Sequence, residues 1–132
     1  MKSFVLGVFA LLVSACSGSN TDQLLLNQIR ALVDTAQQGD SVLQLRKIDS
    51  VKWDQMVLIR PYTGYETLDK ELTSNKKVLA TKIDQRDDVT VMVFTNAGVV
   101  VGVVEFSRAV SDLSQLELRR YKPEDSIFLS IR

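Results

Sequence analysis

The chain has 132 residues, of which 45% are hydrophobic, and its 16 lysine and arginine residues balance its 16 aspartate and glutamate residues. This composition is typical of one globular domain, and the zero net charge argues against a nucleic-acid partner, because neutralising phosphates requires a basic surplus. The chain has no histidine and one cysteine. Serine–histidine and cysteine–histidine catalysis, imidazole metal sites and intramolecular disulfides are therefore excluded.

The N-terminal segment has the pattern of an export signal. A short positive start precedes an apolar run from Phe4 to Val13, which is too short to span a bilayer, since a membrane-crossing helix needs about 20 apolar residues. The run leads into Val13-Ser14-Ala15-Cys16, which resembles the lipobox of bacterial lipoproteins, with valine where that family usually has leucine. An ordinary signal peptide cleaved after Ala15, which would leave a free thiol, is the alternative.

The lipobox resemblance implies a domain organisation and a location. Residues 1–15 would be the signal peptide, residues 16–20 a lipidated cysteine with a short tether, and residues 21–132 a single periplasmic domain. Acyl chains on Cys16, including palmitate, would hold the protein permanently at a membrane. Because Ser17 rather than aspartate follows the cysteine, the resemblance implies the periplasmic leaflet of the outer membrane in a diderm bacterium, and the outer face of the plasma membrane otherwise.

Hydrophobic spacing predicts an amphipathic helix over residues 21–38, with Asn20 and Gln23 as a capping pair and Gly39 as its stop. The predicted helix carries Arg30 as its only basic residue. A helix that lies on lipid usually carries several basic residues, so packing against a core is favoured.

Apolar runs predict strands along the rest of the chain. The strands are expected over residues 41–48, 53–60, 77–83, the hairpin 89–106, and 126–132. In the hairpin, Asn96-Ala97-Gly98 is predicted as a three-residue loop, since glycine accepts a left-handed conformation. Residues 112–121 fit either a short helix or irregular structure.

A second, shorter helix is predicted over residues 64–73, because Thr63 and Glu66 have the spacing of a capping box. The predicted architecture is therefore α+β. It consists of a mostly antiparallel sheet of four to six strands, one long N-terminal helix and one short helix.

The segment Arg60 to Tyr65 is the candidate binding site. A strand that ends in Arg60 beside a helix that starts at Thr63 would place a guanidinium next to unpaired backbone N–H groups, an arrangement that binds anions. Tyr62 and Tyr65 are the aromatic residues expected to line this ligand or partner site.

A structural role is the alternative for Arg60, through pairing with Glu66 or Asp54. The acidic segment 84–88 lacks the spacing of a calcium loop and contains an arginine, so it is predicted to be a solvated loop. An enzyme that uses carboxylates such as Asp54, Glu66 or Glu105 is disfavoured, because no pair of them is convincingly spaced.

Three short motifs resemble a group of small, uncharacterised bacterial envelope lipoproteins. They are Trp53-Asp54, Pro61-Tyr62-Thr63 and Phe106-Ser107-Arg108. The likeness covers about half of the domain and implies no activity.

The sequence as a whole favours a non-enzymatic envelope lipoprotein with a protein-interaction role of the assembly-accessory, immunity or inhibitor type. Its expected partners are the membrane, through Cys16, and another envelope protein. No cofactor, metal or nucleic acid is expected. The alternative is a binding module for a small anionic ligand near Arg60 and the helix starting at Thr63.

Overall fold

The computed structural model describes residues 17–116 and 120–129. Its helices and antiparallel strands confirm the α+β class. The prediction of one sheet with one short helix is wrong, because the strands form separate four-stranded and two-stranded sheets and two short helices are present. No helix within the described ranges is long and apolar enough to cross a membrane.

The described part of the chain contains three α-helices and six strands, each numbered in chain order. The helices are α1 (Ser17–Gln38), α2 (Lys70–Thr73) and α3 (Lys76–Ala80). The strands are β1 (Val42–Gln44), β2 (Gln55–Ile59), β3 (Val89–Asn96), β4 (Val99–Ser107), β5 (Arg120–Tyr121) and β6 (Ser126–Phe128). Single 3-10 turns cover Leu45–Lys47, Tyr65–Thr67, Ile83–Gln85 and Leu113–Gln115.

The four-stranded sheet has the order β4-β3-β2-β5, with antiparallel neighbours throughout. This confirms the predicted hairpin and the central position of β2. The predicted three-residue loop is wrong, because Asn96 pairs with Val99 and only two residues connect the strands. Ala97 and Gly98 both have positive φ, at 52° and 80°, as tight two-residue hairpin turns with the twist of the strands require.

Both faces of the sheet are covered, so β3 is buried along nearly its whole length. On one face, α1 and the two-stranded sheet enclose a core in which the ring of Trp53 meets that of Phe94 edge-on at 5.2 Å. On the other face, the short helices pack Leu72 and Val78 against Val91 and Val93. Continuous apolar runs in β2 and β3 are the sequence signature of this double burial.

Helix α1 lies along β4, an edge strand of the larger sheet. Its N-terminal half is held where the Asp22 carboxylate accepts a hydrogen bond from the Val103 N–H at 3.1 Å, and its last turn where Gln37 donates to the Val110 carbonyl at 3.4 Å. The helix therefore runs in the same sense as β4. Its N-terminus lies at the hairpin end of the domain, defined by the turn Ala97-Gly98.

The segment between β2 and β3 departs from the predictions. The expected helix over residues 64–73 is broken into a 3-10 turn and the one-turn α2, and the expected strand over residues 77–83 is instead α3 followed by a 3-10 turn. Asn75 explains the second difference. Its side-chain oxygen accepts hydrogen bonds from the N–H groups of Lys77 and Val78, at 2.9 and 3.2 Å, and so starts a helix.

The terminal strands also differ from expectation. The predicted edge strand over residues 41–48 shortens to β1 and a 3-10 turn. Strand β6 does not close the larger sheet but pairs with β1, with Val42 opposite Phe128. Residues 130–132 of the predicted strand and residues 117–119 of the ambiguous segment lie outside the described ranges.

Candidate functional site

The chain reverses direction directly after β2. The Thr63 N–H donates to the Arg60 carbonyl at 3.3 Å, with Pro61 in the second position of this turn and Tyr62 in the third. Tyr62 has a φ of 60°. Proline followed by a residue of positive φ defines a type II turn, whose third position normally holds glycine or asparagine.

Tertiary hydrogen bonds hold Tyr62 in this unusual conformation. Its N–H is shared between the carbonyls of Ile83 and Arg86, at 2.9 and 3.2 Å. A tyrosine in the left-handed region is disfavoured by about 1 kcal/mol or more, and such outliers persist where the surrounding structure fixes them. Its ring is not covered in return, because Tyr62 is 64% exposed.

Arg108 joins the acidic segment 84–88 to the loop that follows β4. Its guanidinium donates to both oxygens of Asp112 at 3.1 Å and to the Asp87 carbonyl at 2.6 Å. The pKa of Arg108 is raised, first by the hydrogen bonds to Asp112 and then by the negative charges of Asp112 and Asp87. The Asp112 side chain is 8% exposed, and its hydrogen bonds to Arg108 and Ser114 hold its pKa well below its usual range.

Arg86 lies in the acidic segment 84–88 and pairs with one carboxylate inside the segment and one outside it. It donates to both oxygens of Asp88 at 2.9 and 2.8 Å and to Glu105 at 2.6 Å. These contacts raise the pKa of Arg86 and lower that of Asp88. Across the ranges that the structure describes, no group of three or more acidic or cysteine side chains is placed to hold a metal ion.

These loops share one end of the larger sheet, which we call the loop end. It comprises the turn 60–63, the acidic segment 84–88 and the loop 107–112. The Arg108 N–H donates to the Asp88 carbonyl at 3.0 Å, which links the second of these segments to the third. The loop end is opposite the hairpin end, because β2 finishes and β3 begins there.

Arg60 has a main-chain partner rather than either carboxylate expected from the sequence. Its Nη2 donates to the Leu116 carbonyl, while its Nε is buried without a hydrogen-bond partner. The expected pairing is wrong because its acceptors are used elsewhere. Asp54 accepts the Ala97 N–H of the hairpin turn at 2.9 Å, and the Glu66 carboxylate folds over Gly64.

A small cavity of about 120 Å³ opens beside Arg60. Its lining includes the ion pair between Arg120 and Asp69. The remaining lining is mostly apolar and comes from β2 and the segment that follows it, namely Val57, Leu58, Ile59, Thr63, Thr67, Leu68 and Leu72.

The predicted anion site at a helix N-terminus is not formed. The Thr63 hydroxyl donates to the Arg60 carbonyl at 2.6 Å instead of capping a helix, and a single 3-10 turn follows after Gly64. Tyr65 does not line this cavity and donates its hydroxyl to the Leu79 carbonyl at 3.2 Å. Its pKa is raised, mainly by burial and then by Asp84.

The structure thus brings Arg60 and Thr63 to one cavity, whose lining includes neither Tyr62 nor Tyr65. The sequence places Arg108 in a family-like motif and predicts no role for it. The available signal was a cation four residues before Asp112, a spacing at which opposite charges meet when the chain turns.

Cys16, the expected lipidation site, lies outside the described residues. No known protein family matches the chain, and neither a curated protein nor a solved structure matches it.

Proposed function

We propose that the chain is a lipid-anchored envelope lipoprotein, attached through acyl chains on Cys16, whose domain binds another envelope protein and catalyses no reaction. The observation that carries the binding role is Tyr62. A large aromatic ring is held exposed by a turn that would form more easily with glycine. The strained backbone of Tyr62 does not bury its ring, so packing does not explain the tyrosine and a functional role is favoured.

Neighbouring side chains support a protein partner. Arg108 is fixed at the same loop end as Tyr62, and Val110 in the same loop is exposed. Phe128 is 74% exposed and lies opposite Val42 in the two-stranded sheet. Val42 follows shortly after the last turn of α1, and that turn is hydrogen-bonded to the Val110 carbonyl. Aromatic residues and arginine are enriched in protein interfaces, where they supply much of the binding energy.

The direction of α1 supports the anchored arrangement. Ser17, the first described residue, follows the proposed lipidation site directly and lies at the hairpin end, whereas Tyr62 lies at the loop end. A membrane anchor at Cys16 would therefore hold Tyr62 away from the lipid and towards partners in the periplasm.

The small-anion alternative has weaker support. The guanidinium of Arg60 is engaged with a main-chain carbonyl and that of Arg120 with Asp69. The cavity of about 120 Å³ is also well below the roughly 300–1,000 Å³ of usual ligand pockets. A non-enzymatic role is supported by the carboxylates of Asp54 and Glu105, each of which is bonded within the fold.

The anchor is tested by replacing its acceptor residue. Wild-type protein is expected to incorporate labelled palmitate, whereas Cys16→Ala should incorporate none and should accumulate as the unprocessed precursor. Label in the Cys16→Ala protein would contradict the lipoprotein assignment.

The binding role is tested by site-specific photo-cross-linking in intact cells. A photoreactive amino acid at position 62 is expected to give one discrete adduct with an envelope protein, and the same group at position 24 should not give that adduct. Leu24 is a matched control because it is 56% exposed and lies in the half of α1 near the hairpin end. Identical adducts from both positions, or none from position 62, would contradict an interface at the loop end.

A further inference from the structure

We propose that the tip of the hairpin, Ala97 to Val99, forms a second, non-covalent contact with the bilayer that carries the lipid anchor. This inference rests on the proposed acylation of Cys16. It adds a named surface and a lipid partner to that anchor.

The first argument is position. Asp22 is hydrogen-bonded to Val103, so these two residues lie at the same height along the parallel directions of α1 and β4. From Asp22 back to Ser17 the helix advances about 7 Å, at roughly 1.5 Å per residue. Val103 pairs with Val93, and from this level to the end of β3 the hairpin advances about 10 Å, at roughly 3.3 Å per residue. The tip therefore reaches at least as far as the residue that follows the anchor.

The second argument is chemistry. All three tip residues are exposed, and Val99 is 64% exposed. The stretch from Val89 to Val104 contains no charged residue. The Asp54 carboxylate, which comes from outside this stretch, accepts the Ala97 N–H at 2.9 Å and is thereby engaged with the turn. A shallow contact through the side chains of Ala97 and Val99 leaves that hydrogen bond in place. Val99 occupies a position where a polar residue would satisfy the turn equally well.

The third argument is the surroundings of the tip. Leu24, another exposed large hydrophobic residue, lies in the same N-terminal part of α1. Lys77 is half exposed and is paired with Asp22 at 2.9 Å, so the two residues together add no net charge to this side of the domain. Exposed apolar residues whose neighbouring charges are engaged within the fold suit a shallow contact with lipid headgroups.

A bilayer contact at the tip would fix the orientation of the domain. One covalent attachment leaves a domain free to tilt, whereas two separated contacts define which end faces the lipid. The loop end with Tyr62 would then point away from the membrane.

The test uses the full lipidated protein in vesicles of phosphatidylethanolamine and phosphatidylglycerol. A Val99→Cys variant and a Tyr62→Cys variant are each labelled with an environment-sensitive fluorophore, the acylated Cys16 being unreactive. Quenching by a lipid that carries a shallow nitroxide is expected to be at least threefold stronger at position 99 than at position 62. Quenching by aqueous iodide should show the reverse order.

A further variant checks that the apolar tip itself makes the contact. With the fluorophore on Ala97→Cys, adding Val99→Asp should reduce nitroxide quenching at least twofold while the protein still floats with the vesicles. Equal quenching at positions 99 and 62 in floating protein would overturn the hairpin contact alone. Protein that fails to float would overturn both this contact and the proposed anchor.

Discussion

The carboxylate of Asp22 accepts a hydrogen bond from the backbone N–H of Val103 at 3.1 Å, so a helix side chain occupies a donor of an edge strand. Its second oxygen lies 2.9 Å from the Lys77 ammonium. One side chain therefore connects α1 to β4 and to α3. Covering edge donors in this way also removes positions at which a second chain could pair.

Removing the Asp22 acceptor is expected to destabilise the domain. Asp22→Ala leaves the partly buried Val103 N–H unsatisfied and should lower the free energy of unfolding by about 1–2 kcal/mol, measured by urea denaturation. Asp22→Asn keeps an acceptor and should lose less. Lys77→Met is the control for the exposed ion pair and should change stability by under about 0.5 kcal/mol. An Asp22→Asn variant as unstable as Asp22→Ala would assign the effect to charge instead.

Tyr62 should tolerate a change that most exposed tyrosines would not. Tyr62→Gly suits the positive φ of the turn, so its melting temperature is expected to equal or exceed that of Tyr62→Ala, which keeps the strain. If Tyr62 binds a partner, a photoreactive amino acid at position 110 should give a cross-linked adduct when Tyr62 is present. The same group should give no adduct in the Tyr62→Gly and Tyr62→Ala variants. A Tyr62→Gly protein that melts lower than Tyr62→Ala would indicate that the ring has a structural role.

Arg60 is expected to be structural. Arg60→Ala removes the donor to the Leu116 carbonyl and should lower the free energy of unfolding by about 1–3 kcal/mol, as loss of a hydrogen bond from a charged group usually does. For a domain of this size each kcal/mol corresponds to roughly 4 °C in melting temperature. An unchanged melt combined with loss of the deletion-complementing function would instead favour the small-anion alternative.

The Arg108–Asp112 pair predicts a dependence of stability on pH. The folded pKa of Asp112 lies below its ordinary value of 3.8, so the pair's contribution is complete at neutral pH and is lost as the pH falls below about 4. Urea unfolding at pH 7, 4 and 3 should show this loss, and Asp112→Asn should reduce it. Asp87→Asn, an exposed neighbour without a side-chain hydrogen bond among the described contacts, should leave the profile unchanged.

The hairpin and the central strand could be predicted because their signals are local. Continuous apolar residues such as Val91 and Val93 specify a strand buried on both faces, whatever surrounds it. The helix α3 was missed because Val78 and Leu79 form too short an apolar run to distinguish a strand from a helix, and the cap at Asn75 decides the outcome.

The candidate site was only partly predictable, for a different reason. The sequence identified the segment 60–65, but the backbone of Tyr62 is set by carbonyls from residues 83 and 86, which adjoin it only after folding. The partner of Arg60 is likewise a main-chain carbonyl 56 positions away. Every residue type has a main-chain carbonyl, so the sequence does not show which carbonyl accepts a hydrogen bond. The carboxylates of Asp54 and Glu66 were therefore the predicted partners of Arg60.

The pairing of β1 with β6 has a consequence for the timing of folding. Leu43 and Ile127 are opposite each other in that sheet and both are buried in the core beneath α1. A chain is synthesised from its N-terminus at about 5–20 residues per second, so the strand that covers Leu43 emerges only after nearly all of the domain. Contacts between such distant segments also form slowly. The core beneath α1 is therefore completed only when the last strand becomes available, although the strands β2, β3 and β4 can pair before it.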